Sequence, residues 1–466
     1  MANVEMPAAA ATTAGPDVPW WRLLNRYHWF VLMVAALGWL FDCLDQQLFT
    51  LSRGRAMEAL LPGIPKSQHA QWGGYATSVF LIGWATGGLV FGMLGDRIGR
   101  AKTMMITILV YSVCTGLSAL SQTFWDFAFY RFITGLGVGG EFAVGVALIA
   151  EVMPDKARPG ALGLLQALST VGNISAALIG LGMANLEASG VIGRGNSWRV
   201  MFVIGALPAF LALVIRARLK EPERWAKLKA SGALAQRSAF TYSDLFGNPR
   251  WRRNAFIGLM LACTGVIGLW GIGFFTPELI RSVISKSLAA QGVPAGEIHA
   301  RVDGWASIGL FILQIGAFCG MLTFSWIAQK FGRRPALALA FITALLSTAS
   351  TFLFLRELVD FWLIFVMGFF QLAPFAIYAI YLPELFPTSL RSTGTSFCYN
   401  VGRFVAASGP AMLGLLTSKV YHDQPEPMRY AGVTMCAIFL FGLCVIPFAP
   451  ETRDQPLPED EKGFAH

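Results

Sequence analysis

Apolar stretches of about 20 residues, the length needed to cross a bilayer core as a helix, recur along this chain between short polar segments. Twelve such runs begin near Trp29, Trp72, Thr103, Phe124, Ala161, Trp198, Ala255, Gly304, Pro335, Phe361, Ser392 and Tyr430. Three intervals break the rhythm. Residues 1–28 open with an Ala/Thr/Pro-rich stretch that reads as disordered, residues 217–252 form the longest polar connection, and residues 451–466 form a polar tail. The first run starts too late for a cleavable signal peptide. The pattern predicts an all-α membrane protein with twelve transmembrane helices.

Composition agrees. Of the 466 residues, 55% are hydrophobic and 14% charged, against about 25% charged in soluble domains. The net charge is +9, but the basic residues lie between apolar runs, which argues against nucleic acid and for a lipid-bilayer setting. The seven cysteines fall inside apolar runs with no Cys-x-x-Cys spacing, so they read as packing residues. The five histidines form no cluster with acids, and no Gly-rich phosphate loop ending in Lys-Ser/Thr occurs. A metal, a cofactor, an enzyme activity and ATP-driven transport are therefore not expected.

The loops containing Arg97, Arg100, Lys156, Arg158, Lys330, Arg333, Arg334 and Arg391, together with the termini and the segment from Arg216 to Arg253, hold 23 of the 36 Lys and Arg. The positive-inside rule then places that side, with both termini, in the cytoplasm and the chain in a plasma or inner membrane.

The chain also repeats itself. Gly99 and Gly332, Arg100 and Arg333, Glu151 and Glu384, Pro154 and Pro387, and Arg158 and Arg391 are each 233 residues apart. These polar and turn-forming residues share one offset without a gap, so two related six-helix bundles are expected, at 29–216 and 253–450. Such bundles, related by an axis along the membrane normal with a site between them, form a transporter architecture.

Gly92-x-x-x-Asp96-Arg97-x-Gly99-Arg100 resembles the signature loop between spans 2 and 3 of the major facilitator superfamily, with Ala101 and then Lys102 where a basic residue usually follows directly. The second copy carries Gln329 in the place of Asp96. Pro383-Glu384-Leu385-Phe386-Pro387-Thr388 and Pro450-Glu451-Thr452-Arg453 are similar to loops of sugar porters. Asp42-Cys43-Leu44-Asp45 resembles the Asp-Gly-x-Asp motif of aromatic-acid/proton symporters. Arg131 with Gly139-Gly140-Glu141 resembles the metabolite/proton symporters, and Gly402-Arg403-x-x-Ala406-x-x-Gly409-Pro410 again the acid symporters. The resemblance implies alternating access, with the Gly92–Arg100 loop as a cytoplasmic gate. In that gate Asp96, Arg97, Gly99 and Arg100 meet Glu151, Arg158 and their counterparts Glu384 and Arg391.

Ionisable residues inside a span are costly unless paired or facing a wet cavity. Asp42 and Asp45 share one face of span 1 at i, i+3. Asp45 and Arg131 fall at similar depth and are expected to form an ion pair, either permanent or opened during transport. Asp42, Asp45 and Glu141 are the candidate proton carriers, with packing or capping as the alternative role. Arg403 lies near mid-membrane and keeps its charge, so it is the candidate holder of a carboxylate substrate through a forked hydrogen-bond pair. Asn400, Asp42, Tyr378 and Gln371 are expected beside it. The expected function is proton-coupled symport of a small organic anion by a protein that works as a monomer. A sugar or polyol symporter and a transporter-like sensor without flux are the alternatives.

Overall fold

The computed structural model describes residues 19–193, 196–231, 241–292, 295–406, 412–413 and 415–459. All regular elements among them are helical. The first half holds α1 (Arg26–Leu60), α2 (Lys66–Ile98), α3 (Arg100–Ser118), α4 (Phe124–Val152), α5 (Arg158–Ala188), α6 (Ser197–Gly205) and α7 (Ala209–Arg218). The linker carries α8 (Glu223–Ala230) and α9 (Thr241–Gly247). The second half holds α10 (Pro249–Ile267), α11 (Thr276–Ala290), α12 (Ala295–Phe331), α13 (Arg333–Phe354), α14 (Trp362–Gln371), α15 (Ala373–Glu384), α16 (Arg391–Ala406), α17 (Pro427–Met435) and α18 (Ala437–Val445).

Ten helical spans among the described residues are long and apolar enough to cross a membrane. The other two of the twelve runs have local reasons to differ. The sixth is divided into α6 and α7 by Pro208, which cannot donate to the preceding turn. The eleventh starts as α16, whose Ser, Thr, Asn and Arg residues make it the most polar span, and its described helix stops at Ala406.

Sequence chemistry explains the joints. Gly99 and Gly332 have φ of 114° and 103°, a region that glycine enters without steric cost, so α2 turns into α3, and α12 into α13, through one residue each. Glu221 and Glu451 then sit over these glycines and accept from the first backbone amides of α3 and α13. Ala101 and Lys102 donate to Glu221 at 3.2 and 3.1 Å, and Arg333 and Arg334 to Glu451 at 2.9 and 3.0 Å. Span 7 leaves α10 through a π-helical turn, Gly268–Ile272, and a 3-10 turn, Gly273–Phe275, before α11.

The 233-residue repeat extends into the packing. Gly83, Gly87 and Gly135 let the backbones of α2 and α4 touch, and their counterparts Gly316, Gly320 and Gly368 do the same between α12 and α14. Without a hydrophobic force between helices in lipid, such close backbone approach is a main source of cohesion. The halves meet along two seams, α2 against α16 and α5 against α12, with α4 touching α15 and α16 between them.

Candidate functional site

Three groups of the expected residues assemble, each differently. In the first, α1 and α4 place Asp45 against Arg131 at 3.4 Å, both wholly buried. The cluster is closed. Thr115 donates to Asp45 at 2.7 Å, and Arg131 donates to Thr115, Thr134 and Ser118 at 2.9, 3.0 and 3.2 Å. The guanidinium also lies 4.8 Å from the ring centre of Phe202 and 5.5 Å from that of Phe49. Arg131 and Asp45 therefore compensate one another inside the first bundle.

The second group is central and left open. Asp42 and Glu141 are 2% and 1% exposed, and their four carboxylate oxygens make no close hydrogen bond in the protein; the Tyr111 hydroxyl, itself without a close partner, is the donor nearby that favours Asp42. Glu141 reaches from α4 to the α1 backbone at Gly38, one turn before Asp42, where no Cβ would fit. The two carboxylates repel each other, and the cation that attracts Asp42 is Arg403 of the other half. Arg403 is 6% exposed. Its guanidinium lies 4.1 Å from the ring centre of Trp84 on α2 and 4.6 Å from that of Tyr399 on its own helix, so two rings pack against it. Nη1 donates to Asn400 Oδ1 at 2.6 Å and to the Tyr399 carbonyl at 3.3 Å, while Nε has no partner. What remains is one edge of a plane, suited to a carboxylate arriving in that plane.

Rings continue from this arginine into both bundles. Tyr399 stacks on Phe142 at 4.2 Å, Phe142 meets Trp39 at 4.6 Å, and Tyr399 meets Phe375 at 6.2 Å. Trp84 meets Trp270 of the π-helical turn edge to face at 6.2 Å. Of the other expected neighbours, Asn400 has both ends of its amide engaged, and Tyr378 spends its hydroxyl on the Leu261 carbonyl at 2.6 Å. Gln371 donates to the Gly268 carbonyl at 3.3 Å beside the broken span, leaving its oxygen without a partner.

The third group closes the end that carries the basic loops. Arg100 pairs with Asp96 at 3.0 Å and with Glu151 at 2.9 Å, and Glu151 also takes Arg391 of the second half at 2.8 Å. Asp96 accepts from the Ser392 and Thr393 amides at 3.1 and 2.8 Å, and so caps α16 from across the interface. Gly92 and Gly95 clear the way for Ser396 and Ser392. Glu384 holds Arg333 at 2.7 Å within its own half, and Arg158 pairs with Asp155 and donates to the Ala150 carbonyl. Arg97 is exposed at the end of α2 and stands outside this network.

Several contributors escaped the sequence reading. Trp84 covers Arg403, Ser396 joins the halves through the Gly88 carbonyl, and two linker residues brace α2: Trp225 donates to the Asp96 carbonyl at 2.8 Å and Tyr242 to the Leu89 carbonyl at 3.0 Å. A signal for the first was present. Trp84, Gly88, Gly92 and Asp96 lie four residues apart and so share one face of α2. Trp225 and Tyr242 carry none, because the linker has no periodicity to read.

Comparison with known proteins agrees with this architecture. Residues 48–410 and 300–465 match the family model described as Major Facilitator Superfamily. A probable 4-methylmuconolactone transporter of Cupriavidus pinatubonensis is 29% identical over 92% of this chain and 92% of its own length. A cis,cis-muconate transport protein of Acinetobacter baylyi is 30% identical over 74% of this chain and 78% of its own. Among solved structures, a proton:xylose symporter bound to 6-bromo-6-deoxy-D-glucose superposes with a TM-score of 0.71 at 19% identity, covering 92% of this chain and 98% of that one. With two six-helix halves, a repeat carried into the packing and a family match over most of its length, the chain is a membrane transporter and belongs to the major facilitator superfamily.

Proposed function

We propose that this protein imports a small planar organic anion together with protons, by alternating access. The observation that carries the reading is Arg403, packed against Trp84 and Tyr399 with its Nε unpaired, facing a first half in which the Asp42 and Glu141 carboxylates also lack close hydrogen-bond partners. An anionic carboxylate fits that edge, and flat, conjugated molecules fit the flanking rings. The names of two relatives, with muconate and methylmuconolactone, support the same chemical class.

Proton coupling follows from competition for one cation. While the site is free of anion, Arg403 is the charge that attracts Asp42. Once a substrate carboxylate takes Arg403, Asp42 loses that compensation while Glu141 stands beside it, and two buried anions side by side are untenable. A proton taken from outside neutralises one of them, and the loaded site can then close. Asp45 is served by Arg131 and so acts as a fixed neighbour rather than the first proton acceptor. With the basic end in the cytoplasm, the contacts between α2 and α16 are the ones that must part for release inward. If net positive charge moves inward, the membrane potential adds about 2.3 kcal/mol per charge per 100 mV.

The test is counterflow in proteoliposomes with benzoate, cis,cis-muconate and xylose. Benzoate or muconate exchange is expected, with Arg403→Gln weakening binding about 100-fold, since a hydrogen-bonded charge pair contributes up to roughly 3 kcal/mol. Uptake should collapse with a protonophore. Xylose exchange that survives Arg403→Gln would overturn the anion reading, and benzoate uptake indifferent to the protonophore would overturn the coupling.

A further inference from the structure

Arg403 is tied to the closed gate by a chain of side chains that no transport step above uses. Its Nη1 donates to Asn400 Oδ1 at 2.6 Å. Asn400 Nδ2 donates in turn to Ser396 Oγ at 3.0 Å and to the Gly139 carbonyl of α4 at 3.4 Å. Ser396 Oγ donates to the Gly88 carbonyl of α2. Gly88 and Gly92 leave no room for a Cβ beside Asn400 and Ser396, so these bonds form at backbone contact distance. One turn further down α16, Ser392 and Thr393 are capped by Asp96. The rungs Trp84–Arg403, Gly88–Asn400, Gly92–Ser396 and Asp96–Ser392 thus run from the centre of the membrane to its basic face along a single helix pair.

We infer that Asn400 is a positioning residue that latches the guanidinium of Arg403 to the α2–α16 seam, so that a carboxylate arriving at Arg403 loosens the seam toward the cytoplasm. The inference rests on the proposed carboxylate role of Arg403. Asn400 is suited to the task because an amide is acceptor and donor at once. Its oxygen holds the arginine while its nitrogen holds the other half. A carboxylate that draws Arg403 toward its Nε edge pulls Nη1 from Asn400, and the amide loses the contact that fixes its orientation over Gly139 and Ser396. The empty carrier stays shut because the latch is made. The loaded carrier opens because its substrate has undone it.

A cysteine reporter tests this. Ser392 is wholly buried and its hydroxyl has no partner, so Ser392→Cys removes no side-chain bond. Its modification by a membrane-impermeant maleimide is followed in inside-out vesicles by peptide mass spectrometry, which separates position 392 from the native cysteines. In the parent reporter, saturating benzoate raises the labelling rate. Asn400→Ala should raise ligand-free labelling about fivefold, the change expected from losing its one bond to the other half, at the Gly139 carbonyl, and benzoate should then add nothing further. Ser396→Ala cuts the chain beyond Asn400. It should raise ligand-free labelling as well while benzoate affinity stays within about twofold, because Arg403 keeps its grip on Asn400; this split between gating and affinity is not what a general loss of packing produces. Ser396→Ala decides the matter should Asn400→Ala fail to fold. Ligand-free labelling at the parent rate in both variants, or a full benzoate response in Asn400→Ala, overturns the latch. A parent reporter indifferent to benzoate overturns the carboxylate role instead, and the ligand-free arm still judges the latch by itself.

Discussion

The two seams between the halves occupy equivalent places in the repeat and are built from opposite materials. At one rung they are mirror images: Gly92 faces Ser396 where α2 meets α16, and Ser325 faces Gly163 where α12 meets α5, each residue 233 positions from its counterpart. Above and below that rung the likeness ends. The α2–α16 seam carries Asp96 on the end of α16, Arg391 crossing to Glu151, and Asn400 and Arg403 toward the centre. The corresponding positions of the α5–α12 seam are Gln329, Arg158, Ala167 and Thr170, and Arg158 pairs with Asp155 of its own half. There the cross-seam bonds are neutral: Ser325 to the Pro159 carbonyl at 3.0 Å and Asn173 to Gln314 at 3.3 Å. The linker adds to the imbalance, since Tyr242 reaches α2 and Phe246 packs on Phe397 of α16 at 5.1 Å. The repeat gives both seams the same close approach of helices, while the charges, and the connection to the central arginine, lie on one side. In the proposed transport cycle the α2–α16 seam acts as the lock, and the α5–α12 seam as the smoother surface against which the halves turn.

The largest test of this contrast is Glu151→Gln against Glu384→Gln. Removing Glu151 leaves Arg100 and Arg391 buried without their shared acid, a loss of about 3 kcal/mol. Reporter labelling at position 392 should rise steeply. Removing Glu384 strands Arg333 inside one bundle, so the melting temperature should fall with little change in labelling. Equal labelling in the two variants would remove the distinction between lock and bundle. Next in size is the cap on α16. Asp96→Asn should cost the closed state about 1 kcal/mol, the value of an N-terminal cap, and shift exchange kinetics accordingly. Gln329→Asp in the other seam should slow exchange by reinstating an acid facing the N-terminal end of α5, where Arg158 stands. A variant that exchanges as fast as the parent would break the comparison. Smaller still are Ser396→Ala and Ser325→Ala, each worth about 0.6 kcal/mol as an interhelical bond in a membrane. Only the first should change gating by substrate, and counterflow with benzoate reads both.

The smallest effect is a pH dependence at the basic end. Burial acts to raise the Glu451 carboxyl, but the amides of Arg333, Arg334, Arg453 and Thr452 outweigh it and hold the group below its ordinary value. A depressed folded-state value contributes stability above the unfolded value, and that stability is lost as pH falls through the folded one. The melting temperature should therefore decline below about pH 4.3, the ordinary Glu value, more in the parent than in Glu451→Gln. Parallel profiles would show that this cap does nothing for the second bundle.

How legible all this was in the chain depends on the range of the interaction. The apolar runs announced the spans, and five residues at one offset announced the duplication, because both are properties of local pattern. Asp42, Asp45, Arg131, Glu141 and Arg403 stood out by the cost of an ionisable group in lipid, which needs no neighbour to be recognised. Their partners did not stand out. Asp45 and Arg131 could be matched by depth alone, whereas the separation of Asp42 from Asp45 into an open and a satisfied acid required knowing which faces of α1 meet α3 and α4. Asn400 read as a substrate contact, yet its amide is turned into the seam. Arg97 read as part of the gate and is exposed.

Sequence by itself determined that this chain lives in a membrane as two related helical bundles with a few buried charges, because hydropathy, glycine spacing and the repeat are written along one dimension. Tertiary structure alone decided which seam carries the charged contacts. A glycine is a vacancy until a partner helix supplies the serine or asparagine that fills it, and a buried charge has no role until the fold brings, or withholds, its counter-ion.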